Sequence, residues 1–495
     1  MNQPTQGYTP SLSSRGEPPV APAVTHDAVV VVPGIMGSEL YDTAQDEVIW
    51  GLANAGWLTR AWLTPTGLTS LGLTAQEREG ERGRVKARSL LRVPAWSPFL
   101  RGIEPYHQLV RTIEDHVAHR DAIMTFPYDW RLAVAAHAGE LATAAREHLT
   151  RWRAHPAHAA ARRNAVDQRE ARLVFIAHSM GGLVTYAALT LGGDSDLTDD
   201  TRGVMTLGTP FQGSVVATAI LNARQGGPLP LPHTRLSRAA ATMPGVHDLL
   251  PRFLCLEDGA DVRRLSPVDV GDLGGDKELF QASQAFFDTL YDRRPPSHLR
   301  PVVGIRQATV QSLRLDAGVV RGSEYGFRAD TDGELKRDEH GRPTRFPGWG
   351  DGTVHRGSAS LIRRVVPLHA QHGALASGKE ALRTVADFLL EDDHLGPDQA
   401  DGGLGLSVPD YVTPGEPWHL YVTGTDDPAG VRCTVSSVDT DHLTRASLEA
   451  DSGNRLRAAL RVPAGGLYRV TVTADYSPAL TQLVFAGEAG QGSLS

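Results

Sequence analysis

The stretch "RLVFIAHSMGGLV", Arg172 to Val184, decides how the chain is interpreted. Its first half is a short apolar run typical of a buried strand, and its second half continues as an apolar helix. Ser179 stands at the junction between the two. The small residues Ala177, Gly181 and Gly182 allow a tight turn there, because larger side chains would clash with the neighbouring backbone. The stretch therefore predicts a strand–turn–helix unit with a serine at its tip.

Strands and helices alternate on both sides of this unit. "AVVVV", "DAIMTF", "TRGVMTLGTP" and "LRPVVGI" have the composition of buried strands, whereas "VAAHAGELATAAREHLTRW" and "SGKEALRTVADFLL" have helical spacing. Apolar runs bounded by turn residues are typical of central strands that are covered on both faces. The alternation predicts a mostly parallel sheet with helices on both sides.

The composition changes twice along the chain and divides it into three parts. Residues 1–25 are rich in Pro, Ser and Gly and predict a disordered tail. Residues 26–395 contain the alternating elements, with insertions at about 41–100 and 215–297. In residues 396–495, short alternating runs are separated by Asp, Gly and Pro, which predicts a small antiparallel β-sandwich of immunoglobulin-like type.

The overall charge and the cysteines exclude several classes of function. Forty-nine Lys and Arg against 57 Asp and Glu leave a net charge of −8, so no nucleic acid partner is expected. No apolar run reaches the roughly 18–20 residues that span a bilayer. The first residues do not resemble a signal peptide. The two distant cysteines, Cys255 and Cys433, do not indicate a disulfide, so we expect a reducing, cytoplasmic location.

A serine hydroxyl becomes a nucleophile at neutral pH when a histidine accepts its proton and a carboxylate orients that histidine. In α/β-hydrolases these groups follow in the order Ser, Asp or Glu, His, on loops at the carboxyl ends of strands. Here Asp351 in "GWGDGTVH" is the candidate acid, and His372 in "PLHAQHGALASGKEAL" is the preferred base. His369 remains open as the alternative base, and His355 is a third candidate.

The reaction also needs two N–H donors for the oxyanion that forms on the substrate. One candidate is the N–H of Met180, which directly follows the nucleophile. The other is the N–H of Met36 in "PGIMG", where Gly34, Ile35 and Gly37 are expected to contact the substrate and the glycines to leave room for it. No Cys/His set has the spacing of a zinc site, so neither a metal nor a cofactor is expected.

Several motifs together resemble the lecithin:cholesterol acyltransferase family. They are "VVVPGIMGSEL", "FPYDWR", "AHSMGGLV", "TLGTPFQGS", "TMPGVHDLLP" and "GDGTVH…QH", spread over Ala28 to Leu390. The resemblance implies an α/β-hydrolase fold with cap or lid insertions and a substrate that is a lipid or another acyl ester. It implies the same roles for the same residues: Ser179, Asp351 and His372 as the triad, with Met36 and Met180 as oxyanion donors.

Two further features allow a structural or a functional interpretation. The insertion with Trp50, Trp57 and Trp62 is either a lipid-facing lid, which implies peripheral membrane contact, or a cap packed on the sheet. Asp129 and Arg131 in "PYDWR" predict an ion pair that anchors a loop.

The sequence thus predicts a serine-dependent lipid ester hydrolase or O-acyltransferase that works through an acyl-enzyme on Ser179. Whether water or an alcohol takes the acyl group is left open. The alternative is a non-catalytic interaction protein on a hydrolase scaffold, with the C-terminal sandwich as its binding module. A docking role for that domain, with a protein as partner, leads us to expect that removing residues after about Gly396 leaves turnover of small esters intact.

Overall fold

The strands and helices fall into an N-terminal part built on a parallel sheet and a C-terminal part made of strands. The computed structural model describes residues 23–51, 69–92, 94, 105–165, 167–191, 196–222, 233–296, 298–316, 319–329, 334–362, 364–391, 404–451, 453–474 and 477–487. The strands are β1 (Ala28–Val32), β2 (Ser38–Asp42), β3 (Glu47–Trp50), β4 (Val85–Leu90), β5 (Ile123–Thr125), β6 (Leu173–His178), β7 (Thr201–Leu207), β8 (Leu256–Asp258), β9 (Asp261–Arg263), β10 (Leu299–Gly304), β11 (Gln307–Ala308), β12 (Ser312–Asp316), β13 (Val319–Ser323), β14 (Tyr325–Gly326), β15 (Phe346–Pro347), β16 (Trp349–Gly350), β17 (Val366–Leu368), β18 (Gly405–Ser407), β19 (Tyr411–Val412), β20 (Trp418–Thr423), β21 (Val431–Ser437), β22 (Leu443–Ala446), β23 (Glu449–Asp451), β24 (Arg455–Leu460), β25 (Gly466–Ala474) and β26 (Ser477–Ala486). The α-helices are α1 (Ala75–Arg78), α2 (His107–Glu114), α3 (Val134–Arg153), α4 (Pro156–Asn164), α5 (Met180–Leu191), α6 (Val216–Leu221), α7 (His233–Ala241), α8 (Pro244–His247), α9 (Pro267–Leu273), α10 (Lys277–Tyr291), α11 (Arg356–Ala359) and α12 (Lys379–Leu389).

The central sheet has six strands in the order β17-β10-β7-β6-β1-β5, and every neighbouring pair is parallel. All residues of β1 and β6 are buried, as their continuous apolar composition requires in a sheet that is covered on both faces. Helices α3 and α5 pack on each other and contact β1. The predicted parallel sheet with helices is therefore confirmed.

Three features of this part were not predicted. The insertion after β1 contains a three-stranded antiparallel sheet, β3-β2-β4, and the segment between β10 and Asp351 contains the hairpin β12–β13. The strand β17, at one edge of the central sheet, follows Asp351 in the chain. These strands are short and only partly buried, so they lack the apolar runs that mark β1 and β6.

The C-terminal part consists of a four-stranded sheet, β18-β20-β24-β23, and a five-stranded sheet, β19-β26-β25-β21-β22. Alternate residues of β20 and β24 are buried, as the sequence pattern predicted, and they contribute to a separate apolar core. Four residues from this part nevertheless belong to the apolar core of the parallel sheet: Tyr411, Leu467, Leu483 and Phe485. This continuous core argues against the expectation that the C-terminal part can be removed without loss.

The described residues include both cysteines and only the last part of the predicted N-terminal tail. Most of the predicted tail, residues 1–22, and residues 392–403 lie outside the described residues. Thr25 is buried and its N–H donates to the carbonyl of His116 at 2.9 Å, so the ordered body begins before residue 26. Cys255 and Cys433 are free and buried, as expected. Among the described helices, none is long and apolar enough to span a membrane.

Candidate active site

Ser179 occupies the turn between β6 and α5 in a strained backbone conformation. Its φ is +52°, in the left-handed region that residues other than glycine adopt uncommonly and that recurs at functional sites. The Ser179 N–H donates to the Leu207 carbonyl at 2.9 Å, and the hydroxyl of Thr209 donates to the Ser179 carbonyl at 2.9 Å. The strain is therefore held by hydrogen bonds to the residues at and after the end of β7.

The glycines after Ser179 are required by close backbone approach. A Cβ on Gly181 would lie 2.3 Å from the carbonyl oxygen of Pro33, and a Cβ on Gly182 would lie 1.9 Å from Thr209 Oγ1. Ala177, in contrast, lies within β6, paired with Val32 and fully buried. Ala177 is thus part of the strand, where a methyl group fits.

Ser179, His372 and Asp351 form a continuous hydrogen-bonded chain. Ser179 Oγ lies 2.9 Å from His372 Nε2, and His372 Nδ1 lies 2.7 Å from Asp351 Oδ2. The other oxygen of Asp351 accepts the N–H groups of Thr353 at 2.9 Å and Val354 at 2.6 Å. Because a carboxylate only accepts hydrogen bonds, the proton of neutral His372 is assigned to Nδ1. Nε2 is then free to accept the serine proton.

The two other candidate bases lie elsewhere. His369 is buried next to Arg306, and burial together with that positive charge lowers the pKa of His369. His355 accepts the N–H of Gly357 and caps α11, while burial lowers the pKa of His355 to about 4. The structure therefore brings His372, and neither of the alternatives, into contact with Ser179.

Two glycines that the sequence analysis did not single out support this arrangement. Gly304, at the end of β10, lies so close to the acid that an added Cβ would be 2.3 Å from Asp351 Cβ. Gly208 has φ +63°, and a Cβ there would be 3.0 Å from Asp351 Oδ2 and 3.1 Å from His372 Nδ1. Gly304 ends β10 and Gly208 directly follows β7, and both are far from Asp351 in the sequence. Only the sheet order, which brings these strand ends together, reveals their role.

A second hydrogen-bonded chain connects the loop after β1 to the backbone of His372. The Gly34 N–H donates to the Tyr106 hydroxyl at 2.9 Å, and that hydroxyl donates to His178 Nδ1 at 2.8 Å. His178 Nε2 therefore carries the proton and donates to the His372 carbonyl at 3.0 Å. Burial, reinforced by the charge that His372 can carry, lowers the pKa of His178 to about 3. His178 is thus neutral at physiological pH.

We expect Tyr106→Phe to lower the free energy of unfolding by about 1–3 kcal/mol and to lower kcat as well, since it leaves the Gly34 N–H and His178 Nδ1 buried and unpaired. Urea unfolding and ester turnover of the purified variant measure both effects. Tyr128→Phe is the matched control, because the buried Tyr128 hydroxyl donates only to the Pro33 carbonyl at 3.0 Å. Equal kcat values for the two variants would contradict a role for the Tyr106–His178 chain.

The predicted oxyanion donors lie on the two loops next to Ser179. Met180 begins α5, where backbone N–H groups lack partners inside the helix. Met36 has φ +61°, and its carbonyl accepts the indole N–H of Trp50 at 2.8 Å, which fixes the orientation of that peptide. Within the described residues, neither the Met36 nor the Met180 N–H has a hydrogen-bond acceptor. Both groups remain available to a ligand.

The structure agrees with the role predicted for Ile35 in "PGIMG" but not with the space predicted beside Gly34 and Gly37. Ile35 lines a cavity beside Ser179, which agrees with substrate contact. A Cβ on Gly34 would be 2.8 Å from Ser179 Cβ, and a Cβ on Gly37 would be 2.8 Å from the Tyr106 hydroxyl. The two glycines therefore make room for protein atoms, and the expectation that they make room for substrate is wrong.

The cavity beside Ser179 is lined almost entirely by apolar side chains and has a volume of about 730 Å³ including its opening. Side chains from the loops after β1 and from α6, α7 and α8 converge on it. Its lining residues are Ile35, Met36, Leu71, Trp130, Ser179, Pro210, Ser214, Val216, Ala217, Ile220, Leu236, Ala240, Met243, Val246, Leu249, Thr353 and Val354. An apolar lining of this kind suits an apolar ligand.

The predicted ion pair of "PYDWR" is present and is part of a buried network. Arg131 is fully buried and donates to Asp129 at 2.7 and 2.9 Å and to Glu77 at 2.8 Å. Glu77 also accepts from Arg84 at 2.8 Å. The network joins α1 and β4 of the insertion to the loop after β5, so Asp129 and Arg131 anchor loops as predicted.

The tryptophan-rich insertion is described only in part. Trp50 is buried, and its ring packs edge-on against Trp130, with ring centroids 5.7 Å apart. Trp57 and Trp62 lie outside the described residues. Trp50 is thus part of the packed layer over the sheet.

One group of side chains away from Ser179 could hold a metal ion. His119, Asp121 and His155 place one ligand atom each within 4.8 Å of one another, and the carboxylate of Asp121 lies 3.7 and 3.4 Å from the two imidazoles. His155 is distant in sequence from the other two, so spacing did not reveal this group. It lies at the protein surface and does not contact the triad.

Residues 98–265 of the chain match the family model described as Lecithin:cholesterol acyltransferase. This segment includes Ser179 but not Asp351 or His372. No curated protein matches the chain. Similar solved structures include a superoxide reductase (neelaredoxin) from Ignicoccus hospitalis, with 9% identity and a TM-score of 0.14, covering 17% of this chain and 80% of that chain. Another is the CARDB domain of a Pyrococcus furiosus protein, with 18% identity and a TM-score of 0.13, covering 17% and 86%. TM-scores this low carry no argument about fold or function.

Proposed function

We propose, from the match of residues 98–265 to the lecithin:cholesterol acyltransferase family model, that the chain is a serine-dependent lipid ester hydrolase or O-acyltransferase with an α/β-hydrolase fold. The single observation that carries this proposal is the chain of hydrogen bonds from Ser179 through His372 to Asp351, next to an apolar cavity. The strained backbone of Ser179 and the parallel sheet order support the same fold. The two C-terminal sheets support the proposal of an immunoglobulin-like sandwich.

In the proposed reaction, Ser179 Oγ attacks the ester carbonyl carbon while His372 Nε2 takes the serine proton. The charge that develops on the carbonyl oxygen accepts hydrogen bonds from the N–H groups of Met36 and Met180. His372 then gives its proton to the departing alkoxide, which leaves an acyl group on Ser179. Water or an alcohol, deprotonated by His372, attacks this acyl-enzyme and releases an acid or a new ester.

The choice between hydrolysis and transfer is tested by mass spectrometry of the products from mixed phospholipids and acylglycerols. Reactions run with and without an added alcohol distinguish free fatty acid from new esters. New esters that appear only with the alcohol identify an acyltransferase. The absence of both products, together with no labelling of the folded protein by a fluorophosphonate, would favour the non-catalytic interaction protein.

Peripheral membrane contact, a protein partner and a cytoplasmic location stay predictions.

We propose that the apolar cavity binds the acyl chain, since its lining is continuous with Ser179. Ala240 lines the cavity and is almost fully buried, so Ala240→Phe is expected to fill part of it. We expect kcat/KM for long-chain nitrophenyl esters to fall by at least about tenfold, while that for the acetate changes less than about threefold.

Ala282→Phe is the control for this prediction, because Ala282 lies on the exposed face of α10. That variant is expected to leave the chain-length profile unchanged. A parallel loss for all chain lengths in Ala240→Phe, with the thermal unfolding temperature unchanged, would refute acyl binding in the cavity.

A further inference from the structure

The first strand of the C-terminal part lies against the loop that carries the acid. Gly405 approaches so closely that an added Cβ would be 2.7 Å from the Arg306 carbonyl oxygen. The Leu406 N–H donates to Gln307 Oε1 at 3.1 Å. Gln307 is fully buried, and its backbone pairs with Gly350 and is bridged to Asp351. β18 therefore contacts Gln307, and the backbone of Gln307 in turn pairs with the loop that carries Asp351.

The same strand also holds the loop that carries the base. Gln371, the residue before His372, donates through Nε2 to the Leu406 carbonyl at 3.2 Å and to Gln482 Oε1 at 2.9 Å. Gln482 in turn donates to the Val408 carbonyl at 3.2 Å. Both glutamines are 2% exposed. The base loop thus has buried amide contacts to both C-terminal sheets, through β18 and β26.

We propose that the C-terminal domain, residues 404–487 as described, positions the acid and base loops of the site. In this inference, which rests on the proposed function, Gln307, Gln371 and Gln482 are positioning residues that do not touch substrate. Leu406 is the shared element, because its N–H contacts Gln307 and its carbonyl contacts Gln371. The C-terminal domain is then part of the catalytic unit.

The expected size of the effect follows from the geometry of the triad. The His372 N–H donates to the Asp351 carbonyl at 2.9 Å, so the two loops move together when either is displaced. A displacement of about 1 Å at a reacting group can cost about a hundredfold in rate. Loss of the amide contacts is therefore expected to lower kcat by about ten- to a hundredfold and to leave KM unchanged, because the apolar cavity is untouched.

The test uses the full-length chain with Gln371→Leu, Gln482→Leu and the double variant, assayed with a short-chain nitrophenyl ester. Both single variants are expected to lower kcat with the same KM. The loss of kcat in the double variant is expected to be smaller than the product of the two single losses, because both substitutions remove the Gln371–Gln482 hydrogen bond. Leu460→Ala is the control, since Leu460 lies in the C-terminal core and pairs with Trp418, so its truncation lowers stability without removing an amide contact.

Hydrogen exchange over residues 369–376 gives a readout that does not depend on activity. Faster exchange of this segment in both glutamine variants, with Leu460→Ala unchanged, supports positioning. If wild type turns over the ester and both glutamine variants keep kcat within twofold, the inference is overturned. If wild type neither turns over esters nor reacts with a fluorophosphonate, the proposed function fails, and exchange alone decides: unchanged exchange in the glutamine variants overturns the inference.

Discussion

Replacing His372 with alanine is expected to lower kcat for ester hydrolysis by about 10⁴- to 10⁶-fold, the range seen when the base of a comparable triad is removed. His372 lies 2.9 Å from Ser179 Oγ, so its loss removes the group that takes the serine proton. Binding of the ester, measured by KM, is expected to change little, because the apolar cavity and both oxyanion donors remain. Steady-state kinetics with a soluble ester measures the effect.

His369→Ala is the matched control for this prediction, because His369 lies in the same loop and is similarly buried. It is expected to keep kcat within about tenfold of wild type. Asp351→Asn should lower kcat by about 10⁴-fold, since the amide no longer stabilises the proton on His372 Nδ1. A larger loss in His369→Ala than in His372→Ala would contradict the assignment of the base.

The largest expected effect on stability is that of Arg131→Met, at about 3–5 kcal/mol of unfolding free energy. Arg131 is fully buried, and its removal leaves the carboxylates of Asp129 and Glu77 without their shared partner. Arg82→Met provides the comparison, because the pair of Arg82 with Glu140 is half exposed and is expected to contribute at most about 1 kcal/mol. Urea unfolding of both variants at neutral pH tests the difference, and equal losses would contradict the role of burial.

The same network predicts how stability depends on acid. Burial alone raises the pKa of Glu77, but hydrogen bonds from Arg84 and Thr74 and the charge of Arg131 outweigh it and lower that pKa from 4.5 to about 2. A carboxyl whose pKa is lower in the folded state contributes stability above its unfolded pKa and loses it as the pH falls toward the folded value. Wild type should therefore lose this contribution between about pH 4.5 and 2. The loss should be smaller in Arg131→Met, and an unchanged pH dependence would contradict this explanation.

The sequence predicted the parts of the fold that depend on continuous apolar runs. β1 and β6 have such runs, and both lie where the pattern placed them. β12, β13 and β17 are short and only partly buried, and β12 and β17 pair with β8 and β10, which lie far back along the chain. The local pattern could not reveal them. The contact of the C-terminal domain with the base loop was missed for the same reason, since a buried Gln371 looks like a surface residue in sequence.

The candidate site was predictable where order along the chain restricts it. Ser179, Asp351 and His372 were placed by their positions after strands and before helices, and the structure brings them together. Tyr106 and His178 were missed, because their role depends on one hydroxyl that lies between Gly34 and His178. The purpose of Gly34 was misinterpreted, since only the fold shows that Ser179 fills the space next to it.

The proposed mechanism requires that Ser179 carries the acyl group of the ester as a covalent intermediate. Rapid acid quenching of the full-length protein with a nitrophenyl ester, followed by peptide mass spectrometry, tests this. We expect an early burst of nitrophenol and a mass increase of one acyl group on the peptide that contains Ser179, both absent in Ser179→Ala. Ester turnover without any acylated peptide, or with the acyl group on another residue and unchanged in Ser179→Ala, would contradict the account.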